Sequence, residues 1–306
     1  MSLDLSQMLD RIHARQWVLA DLDWNAPGAD RITENQFAHL KRFMTDLVWI
    51  EQIGARGFAG LAHQAPDPTL AEIYRYFHAE EQRHANAELA LMRRWGMLDD
   101  GRVPEPNVNV RLAMDWLDAN ADDLPLEALG TVIPMLEVAL DGALVKFLLD
   151  EVRDPLCHEV FDKINNDESR HLAVGFHVLE VLGAEHVPRS RLRARLDALR
   201  PSMLIGGIVS LPLFARIGRG VEAMGLDKQR LMRSLSRFHA VGDRSPVVRR
   251  NPAYRTLAAR TKGVVEQGPA YEWLADVMLT LSDYYPRILL RPIPTWIDEL
   301  TCEPAA

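Results

Sequence analysis

Ala79-Glu80-Glu81-Gln82-Arg83-His84 and Asn166-Asp167-Glu168-Ser169-Arg170-His171 are the two stretches that decide the fold of this chain. Both read acidic–Glu–x–Arg–His, so each sets a Glu and a His three residues apart, neighbours on one face of a helix. A single Glu-x-x-His is common by chance. Here it occurs twice, and each copy follows a lone Glu at a matched interval: Glu51 stands 30 residues before Glu81, and Glu137 stands 31 before Glu168. The repetition makes the pattern specific.

The flanking sequence supplies the helices. Met44, Leu47, Glu51, Gly54 and Phe58 share one helical face. So do Ile73, Phe77, Glu81, His84, Leu91 and Trp95, with Glu88 as a further polar member. Leu129, Ile133, Glu137, Leu140 and Leu144 form a third stripe, and Phe161, Ile164, Glu168, His171, Val174 and Val178 a fourth. The expected helices run over about 34–62, 69–95, 125–151 and 155–182. Pro66 and Pro68 separate the first two, and Thr69 with Glu72 reads as a capping box. Gly96 and Gly183 read as stops, and Pro134 should bend the third helix. Residues 98–125 form a long connection with a short helix near 112–119. Two helical hairpins joined by one crossover is the wiring of a ferritin-like four-helix bundle. After Pro188, further helices are expected near 189–199, 203–224, 228–239, 253–265 and 270–289. The organisation predicted is a bundle with an N-terminal extension over 1–186 and a helical C-terminal extension over 187–306 packed on it. The fold class is all-α.

Composition narrows the function. With 306 residues, 48% hydrophobic and 25% charged, the chain is ordinary globular protein. Its longest uncharged run, Pro201–Ala215, is interrupted by Pro212 and is shorter than the ~20 residues that span a bilayer. Met1–Ala14 carries Asp4, Asp10, Arg11 and His13 and lacks the apolar core of a signal peptide. Cys157 and Cys302 are too few for a disulfide framework or a cysteine zinc site, so a reducing cytoplasm is expected. Residues 1–186 hold 16 Lys and Arg against 32 Asp and Glu, whereas residues 187–306 hold 19 against 11. The basic part is also apolar and helix-patterned. It reads as a cover for the acidic part, and no nucleic-acid or membrane partner is expected.

The stripes aim Glu51, Glu81, His84, Glu137, Glu168 and His171 into the bundle core. Isolated buried carboxylates are very costly and must be paired or metal-bound. Arg83 and Arg170 flank the histidines but sit off the ligand face, so salt bridges alone are the weaker account. Four carboxylates and two neutral imidazoles balance two divalent cations, and oxygen donors with imidazole suit iron or manganese. Asp141, Glu88, Tyr74 and His78 lie near this face and read as structural. Gly54 and Ala55, one turn past Glu51, leave space that either a small ligand or close helix packing would use.

These motifs resemble the ferritin-like di-iron carboxylate superfamily over residues 34–183, in its oxygenase and R2-like branch. The resemblance implies Glu51, Glu81, His84, Glu137, Glu168 and His171 as metal ligands. It also implies Glu80 and Asp167 as hydrogen-bond partners of the ligand histidines. The chain departs from individual members. Glu88 stands where the ribonucleotide reductase radical subunit has its tyrosine. Val132 and Gly54 exclude the tyrosine–valine cross-link of ligand-binding oxidases. Ile164 replaces the additional histidine of arylamine N-oxygenases.

The function implied is O2-dependent oxidation of an organic substrate at a non-haem di-iron centre: hydroxylation, desaturation or N-oxygenation. The cofactors are two Fe ions, with Mn/Fe left open, and O2 is the co-substrate. The substrate would be a small molecule or acyl-type, carrier-bound compound. No flavin or nicotinamide site is evident, so an external reductase or ferredoxin would supply electrons. A homodimer is the expected assembly. A non-catalytic ferritin-like protein that binds iron or manganese is the alternative.

Overall fold

The computed structural model describes residues 3–99, 102–122, 152–185, 242–250 and 269–293, with single positions between these stretches. Among them all regular structure is helical and no strand forms, as the all-α reading requires. The helices are α1 (Leu5–Ala14), α2 (Glu34–Gln64), α3 (Pro68–Arg94), α4 (Val108–Asn120), α5 (Pro155–Glu185), α6 (Pro246–Arg250) and α7 (Pro269–Asp283). Val132, Glu137 and Asp141 of the expected third long helix lie outside the described residues.

Local chemistry sets where each element begins and ends. The Asp4 side chain caps α1 by accepting from Gln7 N at 3.1 Å. Thr33 precedes α2, and the Gln36 side chain reaches back to Thr33 N at 3.2 Å. The start of α3 corrects the Thr69 reading. Asp67 is the cap, accepting from Leu70 N at 2.9 Å, and Pro68 takes the first helical position, where its missing N–H costs nothing. At the other end, Gly96 has φ +67°, with Gly96 N bonded to Arg93 O and Met97 N to Met92 O. This left-handed Schellman closure is the stop predicted there. Gly183 does not stop α5, which continues to Glu185. The short helix of the crossover begins earlier than expected, at Val108, because Asn107 Oδ1 accepts from both Asn109 N and Val110 N.

α2 and α3 form an antiparallel hairpin, and α5 runs antiparallel to α3. A buried ionic cluster fastens the C-terminal end of α3 to the N-terminal end of α5. Asp154 accepts from Arg94 Nε at 2.8 Å, Arg94 Nη2 at 3.2 Å, Trp95 Nε1 at 2.8 Å and Leu156 N at 3.1 Å. Arg94 also donates to Trp24 O and Ala26 O, tying down the segment between α1 and α2. α1, which the sequence reading did not anticipate, lays Met8 and Ile12 against the bundle beside Tyr74 and Phe77 of α3.

The core is divided in two along the helix axes. One apolar cluster contains Trp17, Met44, Val48, Ala85, Leu89, Phe161 and Ile164. The other contains Phe58, Ile73, Phe77, Ile133, Val174 and Val178. On α3 the change falls between Phe77 and Ala85, and on α5 between Ile164 and Val174. The Glu/His motifs occupy that gap, a polar layer between two apolar ones. Each fully buried Leu, Ile, Val or Phe contributes about 1.5–3 kcal/mol, so the two clusters stabilise the frame that holds the layer.

Positions beyond residue 187 pack on this frame where they are described. Leu213 joins Trp49, Val110 and Met114, and Tyr254 and Val248 join Leu179. Arg216 donates to Asn109 Oδ1 at 2.6 Å and pairs with Asp283 at 2.7 Å. No helix among the described residues is long and apolar enough to cross a membrane.

Candidate metal centre

Helical register brings Glu51 from α2, Glu81 and His84 from α3, and Glu168 and His171 from α5 into the gap between the clusters. Glu81, His84, Glu168 and His171 are almost fully buried, and Glu51 is 9% exposed. One donor atom each of Glu51, Glu81, His84 and Glu168 lies within 4.8 Å of all the others. His84 Nδ1 stands 3.1 Å from Glu168 Oε1 and 3.7 Å from Glu51 Oε2. His171 Nδ1 stands 3.2 Å from both Glu81 Oε1 and Glu168 Oε2. The Glu168 carboxylate therefore lies between the imidazoles, one oxygen toward each. Glu137 is outside the described residues.

The outer ring nitrogens are held across the helix pair. His84 Nε2 lies 3.0 Å from Asp167 Oδ2, and His171 Nε2 lies 2.9 Å from Glu80 Oε2. The acidic residue of each motif thus serves the histidine of the other motif. An ionised carboxylate can only accept, so this pairing puts a proton on Nε2 and turns Nδ1 toward the glutamates. Arg170 Nη2 donates to Glu80 Oε1 at 2.9 Å and to Asp167 Oδ1 at 2.5 Å. Arg83 Nη2 approaches Asp167 at 3.6 Å and Glu80 at 3.7 Å. The two arginines balance the charge of these outer carboxylates. They do not reach the inner glutamates.

The N-terminal segment completes the outer ring. Gln16 Nε2 donates to Glu80 Oε1 at 2.6 Å, and Trp17 Nε1 donates to Asp167 Oδ2 at 2.8 Å. The Trp17 ring lies parallel to His84 with centroids 6.4 Å apart, under the Arg83 guanidinium at 5.0 Å. On the other side, Phe77 and Phe58 pack on His171 at 4.1 and 4.9 Å. Sequence reasoning missed Gln16 and Trp17. The signal available was the Asp4 cap and the Met8/Ile12 spacing, which predict a docked helix just before them.

Gly54 answers the question its sequence left open. A Cβ there would lie 2.6 Å from Glu81 Oε2. The space beside Glu51 is filled by the Glu81 carboxylate. Tyr74 and His78 stand away from the inner donors: Tyr74 is buried in the second cluster, and His78 Nδ1 bonds Ala55 O at 2.8 Å.

Electrostatics mark the inner glutamates as the unbalanced part. Burial, reinforced by Glu168 and Glu51, pushes the Glu81 carboxyl well above its ordinary range. Burial acts likewise on Glu168, but His171 and His84 outweigh it and hold that carboxyl down at about 2. Burial would lower His84. The Asp167 carboxylate bonded to Nε2 and the Glu168 and Glu51 carboxylates beside Nδ1 raise it well above the ordinary histidine value instead. Glu80 and Asp167 are both lowered against the effect of burial, chiefly by His171 and His84 respectively.

Glu81 Oε1 and His84 Nδ1 make no well-directed hydrogen bond among the described residues, although both are buried. Buried donors and acceptors are normally well satisfied, and these two have only a carboxylate and an imidazole at 3.1 and 3.2 Å in poor geometry. Oxygen and imidazole donors converging at this spacing suit a divalent cation, and the cluster can hold one. No family model matches the chain, and no curated protein matches it.

Proposed function

We propose that the chain is a di-metal carboxylate protein of the ferritin-like kind that uses O2 to oxidise an organic substrate. The observation that carries this reading is the convergence of Glu51, Glu81, His84, Glu168 and His171, with surplus carboxylate charge and, among the described residues, no arginine or lysine to neutralise it. Glu51 and Glu168 would hold a cation with His84, and Glu81 and Glu168 a second with His171. Glu137 is the further ligand that the repeated motif implies. Two ferrous ions in such a site would supply electrons to O2, and a mixed Mn/Fe pair has the same ligand requirements.

The chain's own residues have definable tasks. Asp167 and Glu80 fix the tautomer and ring orientation of the histidines, so that Nδ1 faces inward. Arg83, Arg170, Gln16 and Trp17 satisfy the outer oxygens of that pair and prevent them from swinging inward. Phe58, Phe77 and the two apolar clusters exclude water from the layer, which strengthens every charge interaction in it. A cavity of about 310 Å³ runs along α2, where Phe43, Leu47 and Ile50 meet Arg42, Asp46 and Arg216. Leu47 precedes Glu51 by one turn, so a small or acyl-type substrate bound there would lie beside the metal-facing stripe. Turnover requires a separate reductase or ferredoxin.

The test is a single-turnover reaction: protein loaded with Fe(II) without O2, mixed with O2, a reduced ferredoxin and a panel of acyl and arylamine compounds. Mass spectrometry of the products is expected to find one gaining an oxygen atom or losing two hydrogens, with matching O2 uptake. Oxidation of Fe(II) with no substrate consumed would favour non-catalytic metal binding.

A further inference from the structure

Among the described residues, Glu88 is the one inner carboxylate that the duplicated motif does not account for. It lies on α3 one turn beyond His84 and two turns beyond Glu81, on the same face. Its side chain is fully buried, and neither carboxylate oxygen has a hydrogen-bond partner among the described residues. The charged groups that act on it are Glu51, His84 and Glu168. None of the described arginines or lysines is among them. It also acts on the buried Cys157 thiol of α5.

A structural buried acid in this protein is treated differently. Asp154 accepts four hydrogen bonds, two of them from an arginine. Glu88, equally buried, accepts none among the described residues. Leaving such a group unpaired is costly. A cation placed among Glu51, His84 and Glu168 would remove that cost.

We propose that Glu88 is a further ligand of the metal centre, joining Glu51 and Glu168 around His84. The inference rests on the di-metal reading and makes the two halves of the site unequal, with the His84 half richer in carboxylate. It predicts that the two cations bind with different affinities, the tighter one at His84.

The test is anaerobic titration with Mn(II) alone, counting bound ions by electron paramagnetic resonance in wild type and Glu88→Gln. Circular dichroism confirms the fold of the variant. Wild type is expected to bind two ions. In Glu88→Gln one site should weaken by at least about tenfold, the other staying within about twofold. Two unchanged sites in the variant would overturn the assignment of Glu88 and leave the di-metal reading standing. No binding by wild type would overturn both. A crystal structure of the Mn(II)-loaded wild type decides independently of the variant's folding. A Glu88 oxygen at a bonding distance of about 2.2 Å supports the proposal, and a Glu88 carboxylate outside that distance overturns it.

Discussion

Two buried ionic clusters on the same helix pair follow opposite rules. At the end of α3, Asp154 meets Arg94, Trp95 and the Leu156 amide, and both carboxylate oxygens are fully used. In the middle of the bundle, among the described residues, Glu51, Glu81, Glu88 and Glu168 face two imidazoles and no arginine, and Glu81 Oε1, His84 Nδ1 and both Glu88 oxygens lack well-directed partners. Charge and burial alone do not separate the two. Satisfaction does. A satisfied buried pair fastens the fold, whereas an unsatisfied, mainly acidic cluster could hold a metal ion.

The comparison can be broken by substitutions with opposite expected signs. The largest effect belongs to Asp154→Ala. It leaves the Arg94 guanidinium buried without its partner and should cost about 3–5 kcal/mol in denaturant unfolding. Next is Glu81→Gln, which removes a repelled carboxylate. Without metal its midpoint should match or exceed wild type by up to about 1–2 kcal/mol, yet the metal-induced rise in Tm should be lost. A Glu81→Gln variant as unstable as Asp154→Ala would erase the distinction.

The pH dependence sharpens it. The Asp154 carboxyl is lowered because, against burial, Arg94, Trp95 and the Leu156 amide favour its charged form. Its contribution is therefore present above the ordinary aspartate value of about 3.9 and is lost as pH falls through the lowered folded value. The stability gap between wild type and Asp154→Asn should be constant from pH 5 to 8, on the order of 1–3 kcal/mol, and narrow below about pH 3.9.

Smaller effects are expected at two supporting positions. In Gly54→Ala the added methyl would meet Glu81 Oε2, while better helix propensity contributes up to about 1 kcal/mol. Tm should barely move, and metal affinity should fall about tenfold, as for lost support of a ligand. Trp17→Phe removes one N–H donor from Asp167 and should cost about 1 kcal/mol, read by denaturant unfolding.

The fold class was legible because it rests on 3.6-residue periodicity, which is strong over the long helices α2, α3 and α5. The inner donors were legible because Glu-x-x-His repeats and each copy follows a lone Glu. Other features depend on facts that spacing along one helix does not carry. The exchange of partners, Asp167 with His84 and Glu80 with His171, requires knowing which helices face each other and in which direction. Arg83 and Arg170 lie off the ligand face as expected, but their role as counter-charges for Glu80 and Asp167 appears only once both helices are side by side. Gln16 and Trp17 follow a ten-residue helix too short to stand out by periodicity alone. The cap of α3 was misread by two residues because Thr69 and Asp67 are both good caps; Pro68 at the first position favours Asp67.

The central claim is that the unsatisfied layer is a metal centre. Its most direct test is the number of Fe(II) ions bound per chain at equilibrium without O2, measured by dialysis and elemental analysis in wild type and Glu81→Ala/Glu168→Ala. The account predicts two ions in wild type and none in the double variant. A wild-type chain that binds no Fe(II), or a double variant that binds as much as wild type, would contradict it.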